Sequence, residues 1–198
     1  MLAQVVPLVA LAATVSAHGY ISSPPMRTPG DATAAACGSG VVNEISGDKT
    51  SHVEGLPELA AMDPAYDAAK CNVWLCKGQQ FADNADNVQA YAPGESVNVQ
   101  IALTIPHKGS ANVSIVDTKT NTIVGEPLLD WPEGYADEIQ FYAKTTPANQ
   151  TDFNVTIPET LGSQCAEAGA CVLQWWWYGT GARQTYESCV DFTVAAPE

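Results

Sequence analysis

Ten residues beginning at Ser96, Ser-Val-Asn-Val-Gln-Ile-Ala-Leu-Thr-Ile, alternate polar and apolar side chains. Successive side chains of a β-strand point to opposite faces, so this stretch has one wet face and one dry face that needs a partner layer. Further short stretches of this kind follow at 112–117, 122–124, 152–157, 171–178 and 188–194. The first two of these read as a hairpin about Lys119-Thr120-Asn121. Multiple short strands separated by turns specify a mainly β chain, an antiparallel sandwich of immunoglobulin or fibronectin type.

Residues 18–90 carry little strand pattern. They are rich in Gly, Pro, Ala and Asp, with turns such as Pro24-Pro25 and Pro29-Gly30-Asp31. Short helices are expected around 31–36 and 64–71, in a long loop region draped on one end of the sandwich. Such a region needs pinning. The chain has six cysteines: Cys37, Cys71, Cys76, Cys165, Cys171 and Cys189. An even count in a secreted chain points to three disulfides, whereas a zinc site would need closer ligand spacing. Cys165 pairs most readily with Cys171 across Ala-Glu-Ala-Gly-Ala; the pairing of the other four stays open.

Residues 1–17 (MLAQVVPLVALAATVSA) form an apolar run ending in Val15-Ser16-Ala17. That is the small-x-small signal of a secretory leader. The run is too short for a membrane span, which needs about 20 apolar residues, though the usual preceding basic residue is missing. Cleavage after Ala17 starts the mature chain at His18, whose α-amine and ring nitrogen can both bind one metal ion. Residues 18–198 then read as one secreted, extracellular domain and a monomer, without linker, repeat or carbohydrate-binding module. The formal charge of −14 excludes nucleic acid and anionic membranes as partners and suits a neutral or cationic substrate. Asn112, Asn149 and Asn154 head glycosylation sequons. Asn112 and Asn154 lie in strands, so a glycan there requires a side chain turned to solvent.

His18, His52 and His107 are the only histidines. His107 follows the strongest strand, in Ile105-Pro106-His107-Lys108-Gly109, where Pro and Gly place it in a turn at a sheet end. His52 has no such anchor and reads as an ordinary loop histidine. Tyr186 precedes the last strand, with Gln184 on the same side of an extended chain and Glu187 on the other. In the run Trp175-Trp176-Trp177, residues 175 and 177 share a face and 176 takes the opposite one. Most of that cluster is therefore expected to be packing, and Tyr20 is the better candidate to touch a substrate.

The N-terminal His18-Gly19-Tyr20, the His-x-Gly turn and Gln184-x-Tyr186-x-x-Cys189 together resemble the lytic polysaccharide monooxygenases. Cys171-Val-Leu-Gln-Trp-Trp-Trp-Tyr followed by Gln184-Thr-Tyr-Glu-Ser-Cys-Val-Asp is most similar to their small fungal, cellulose-oxidising branch. His18-Gly-Tyr-Ile-Ser-Ser-Pro-Pro-Met-Arg resembles the relatives once called chitin-binding proteins. The resemblance spans most of residues 18–194. It implies a histidine brace for one copper ion: His18 through its amine and Nδ1, His107 through Nε2, Tyr186 axial, and Gln184 beside the oxygen species. Three nitrogen donors in a plane suit Cu(II), while zinc prefers a closed tetrahedron. The implied partners are cellulose or chitin, an external electron donor, and O2 or H2O2. No motif places the paired carboxylates of a glycoside hydrolase. The rival readings are a secreted copper carrier without catalysis and a carbohydrate-binding β-sandwich.

Overall fold

The computed structural model describes residues 18–195; the leader expected at 1–17 lies outside the described residues. Among the described residues, nine strands form two packed sheets. The smaller sheet has the order β1 (His18–Ser23), β3 (Ser96–Ile105), β7 (Asp152–Thr156). The larger runs β2 (Gln89–Tyr91), β9 (Gln184–Val194), β8 (Cys171–Gly179), β4 (Gly109–Asp117), β5 (Thr122–Ile123), with β6 (Leu129–Tyr135) also on β4. This is the expected mainly β sandwich. All pairings are antiparallel except that of β2 with β9, which is parallel.

The alternation seen in sequence becomes the core. Val97, Val99 and Ile101 of β3 face Ile115, Leu173, Trp175, Trp177, Val190 and Phe192 of the larger sheet, all buried. Trp175 and Trp177 are fully buried while Trp176 is half-buried on the other face, as period-two geometry requires. The hairpin of β4 and β5 turns through Asn121, whose positive φ of 52° suits an asparagine.

Three elements depart from the sequence reading. The region 18–90 begins with a strand, β1, on an edge of the smaller sheet. β6 carries Pro132, which lacks the N–H of a central strand and is accommodated at an edge. The helix expected at 31–36 is α1 (Asp31–Cys37), followed by α2 (Ser39–Gly47) and α3 (Leu56–Met62), but 64–71 is a series of turns. There Asp63 and Asp67 accept from the backbone N–H of Ala65 and Ala69 two residues on, a local bond that competes with helix formation.

Three disulfides form: Cys165–Cys171 as expected, Cys37–Cys71 within the helical segment, and Cys76–Cys189 from that segment to β9. The segment lies over the face of β9 turned away from the core. Arg27 makes a two-bond ion pair with Asp191 (2.6 and 2.7 Å), and Glu54 accepts from both the backbone and the hydroxyl of Thr185 (2.8 Å each). Through these ties the segment reaches the end of the sandwich where β1, β9 and the 106–108 turn meet.

Candidate metal centre

Strand pairing gathers the site. His18 lies opposite Ile105 at the end of the β1–β3 ladder, two residues before His107. Ile21 N–H donates to Ser188 Oγ at 3.2 Å, which sets β1 beside β9 and its Tyr186. Below them, Trp177 donates its indole N–H to the carbonyl of His107 (3.2 Å) and stacks on Tyr186 with centroids 4.6 Å apart. One buried ring thus fixes both residues. Two glycines allow the close approach. A Cβ on Gly109 would lie 1.8 Å from the Tyr178 carbonyl oxygen, and one on Gly179 would lie 3.1 Å from Cβ of His107. Tyr186 Oη donates to Gln184 Oε1 at 2.6 Å, so the two side chains meet on one side of β9. Glu187 faces the other way.

Each histidine is oriented by a carboxylate, but through opposite nitrogens. His107 Nδ1 lies 3.2 Å from Glu138 Oε1, and His18 Nε2 lies 3.1 Å from Asp48 Oδ2. An ionised carboxylate only accepts, so the nitrogen facing it carries the proton and the other nitrogen of a neutral ring carries the lone pair. The lone pair falls on Nε2 in His107 and on Nδ1 in His18. His107 Nε2 is buried and has no hydrogen-bond partner in the protein. A buried acceptor without a partner is costly unless something else satisfies it.

Asp48 is suited to its role. Burial pushes its pKa up, but hydrogen bonds from Thr50 and the charges of His18 and Lys77 outweigh this and hold it below the usual carboxylate value. Glu138 opens the short helix α4 (Glu138–Tyr142), whose N-cap Asp137 accepts from Ile139 and Gln140.

Sequence reasoning missed Asp48, Glu138 and His52. The His52 ring meets Tyr186 edge-on at 6.3 Å and approaches Glu54 at 3.3 Å. Only the folded chain brings these residues near, and no motif marks them. Tyr20 is half-buried beside His18, with the Lys49 ammonium 4.4 Å from its ring centroid. Among the described residues, no group of three or more His, Cys, Asp or Glu side chains is gathered for a metal. Two imidazoles and a phenol are a different donor set. The lone-pair assignment and the orphaned His107 nitrogen fit a copper ion held by such a set.

Fold and site together define a β-sandwich with two carboxylate-oriented histidines at one sheet end. The family model described as lytic polysaccharide mono-oxygenase, cellulose-degrading, matches residues 18–192, and the chain belongs to that family. No curated protein matches the chain. Among solved structures, it is similar to an AA10 lytic polysaccharide monooxygenase from Streptomyces lividans (16% identity, 89% of this chain and 99% of that one, TM-score 0.48). A chitin binding domain from Burkholderia pseudomallei aligns at 14% identity over 90% and 100% of the chains, TM-score 0.47. A CBM33 protein from Bacillus amyloliquefaciens in complex with Cu(I) aligns at 12% identity over 90% and 100%, TM-score 0.43.

Proposed function

We propose that this chain is a secreted, single-domain, copper-dependent monooxygenase that oxidatively cleaves β-1,4-glycans, cellulose ahead of chitin. The observation that carries the copper reading is the opposite pinning of the two histidines. Glu138 and Asp48 leave the lone pairs on His107 Nε2 and His18 Nδ1, the nitrogens that a histidine brace uses. Cleavage after Ala17 supplies the third nitrogen, the α-amine of His18. Tyr186 would complete the set that holds the ion, with Gln184 accepting from its hydroxyl at 2.6 Å. A bound copper ion, reduced by an external donor, supplies the oxidising chemistry with O2 or H2O2.

The chain's own residues do the positioning. Trp177 holds His107 and Tyr186 in register, and the carboxylates keep each imidazole in one tautomer. Tyr20 is the residue that meets the polysaccharide. Sugar contact there exchanges the Lys49 cation–π interaction, worth about 0.5–1 kcal/mol at an exposed site, for stacking on the same ring. The Gln184-to-Cys189 motif supports a place in the small fungal branch.

N-terminal sequencing of the secreted protein tests the foundation: a start at His18 is expected, and any other start ends the brace. Copper-loaded protein with reductant should release C1- or C4-oxidised oligosaccharides from cellulose or chitin. Tight copper binding without oxidised products on any β-glycan would favour the carrier reading. A His107→Ala variant that kept full copper affinity would remove the site itself.

A further inference from the structure

The three sequons differ in their surroundings. Asn149 and Asn154 are exposed, whereas Asn112 is half-buried. It lines a groove of about 350 Å³ with Trp74, Trp176, Asn121, Gln174, Ile123 and the Glu187 carboxylate. Register places it there: Asn112 stands directly opposite Trp176 in the β4–β8 ladder, so both lie on the outer face of the larger sheet. Trp74 is 46% exposed and is tied to the β4–β5 turn by a hydrogen bond from Asn121 Nδ2 to its carbonyl (3.2 Å). Ser114, the third residue of the sequon, donates its hydroxyl to Asn112 Oδ1 at 2.8 Å. The face is opposite the one that holds Trp177 and Tyr186, so the groove plays no part in the metal centre.

A groove with indole walls and amide groups matches a pyranose ring, which has an apolar C–H face and a hydroxyl rim. Two aromatic contacts hold a free sugar weakly. A sugar tethered at the groove itself is present at an effective concentration in the mM range, where weak stacking suffices. The tether decides the occupant.

We propose that Asn112 carries an N-linked glycan whose first sugars seat in the Trp74–Trp176 groove and form part of the fold. In the modification, Asn112 Nδ2 attacks C1 of an oligosaccharide on a lipid diphosphate. The N–C1 bond forms, the C1–O bond breaks, the lipid diphosphate leaves and the amide nitrogen loses one proton. The inference rests on secretion, because that donor serves the secretory pathway.

The test uses the full chain secreted from a glycosylating eukaryotic host, in an Asn149→Gln/Asn154→Gln background. Mass spectrometry should find the N-terminus at His18 and a glycan on the Asn112 peptide. Asn112→Gln should lower Tm by about 2–4 °C, and enzymatic removal of the glycan from the folded protein should do the same. Trp74→Ala, a change at an exposed position, should produce a similar loss, and the double variant no further loss. A bare Asn112 on a chain that begins at His18 overturns the inference, as do additive losses or an unchanged Tm after deglycosylation. Cellohexaose or chitobiose binding to the glycosylated protein in a Trp74-dependent way would show a groove open to outside sugars and overturn it too. A chain that keeps residues 1–17 and carries no glycan overturns the secretion reading, and this one with it.

Discussion

The two faces of β9 are held by different physics. On the inner face Tyr186, Val190 and Phe192 are buried among the aromatic and aliphatic side chains of the sandwich core. On the outer face Thr185, Glu187, Cys189 and Asp191 are as deeply buried, yet each is joined to the segment above by a hydrogen bond, an ion pair or a disulfide. The inner face gains from area removed from water and from close packing. The outer face depends on specific partners, so loss of one exposes the cost of burying the other. The candidate site draws on both, since His107 and Tyr186 rest on the sandwich while Asp48 and His52 arrive with the segment.

If the outer face depends on its ties, the longest tie should matter most. Cys76–Cys189 spans 113 residues and Cys165–Cys171 spans 6. From loop closure alone, removing the first by a double Cys→Ala change should cost about 4–5 kcal/mol and removing the second about 2 kcal/mol, read by denaturant unfolding under non-reducing conditions. Equal losses would break the comparison. The Arg27–Asp191 pair comes next. Both side chains are nearly fully buried, so Arg27→Ala should cost about 3–5 kcal/mol by stranding the carboxylate. A double change to Met and Leu should recover much of that loss, and failure to recover it would mean the pair contributes more than mutual compensation.

Lys77 offers a pH test of the same face. It is buried against Glu187, and its ammonium donates to the carbonyl of Lys49 at 3.1 Å. Burial lowers its pKa from 10.5 to about 8, against the opposing pull of Glu187 and Asp48. Between about pH 8 and 10.5 the unfolded chain therefore binds the proton more tightly than the native state, so stability due to this group rises with pH in that window. Relative to a Lys77→Met/Glu187→Leu variant, the native protein should gain on the order of 2–3 kcal/mol from pH 8 to pH 10 in urea unfolding. A parallel pH profile in the two proteins would place Lys77 in water.

The inner face was legible in sequence and the outer one was not, for a physical reason. Alternation marks residues whose partner is a whole apolar layer, so β3, β4, β7, β8 and most of β9 could be read without knowing what they touch. β1 and β6 escaped because Gly19 and Pro132 interrupt the pattern and edge positions tolerate the interruption. A bond such as Arg27 to Asp191 leaves no periodic trace, since it depends on two chain segments meeting. The candidate site divides likewise. His18, His107, Gln184 and Tyr186 stand in local motifs, whereas Asp48 and Glu138 are ordinary acidic residues until folding sets them against an imidazole. The helix expected at 64–71 failed where aspartate side chains captured the backbone first.

The smallest expected effect compares the two carboxylates that orient the histidines. Glu138 sits on the sandwich, at the start of α4, and Asp48 belongs to the segment pinned over β9. Removing the hydrogen-bond partner of a metal-binding histidine commonly lowers metal affinity 10–100-fold, about 1.4–2.7 kcal/mol. Glu138→Ala and Asp48→Ala should each weaken Cu(II) binding by that order in calorimetric titration, with little change in thermal stability of the metal-free protein. Breaking the segment's tie by the Cys76 and Cys189 double change should weaken copper binding in the Glu138→Ala background but add little to Asp48→Ala, because both of the latter act through His18. If the tie and Asp48 instead prove additive, the segment reaches the metal by a second route, and His52 against the Tyr186 ring is the contact that provides it.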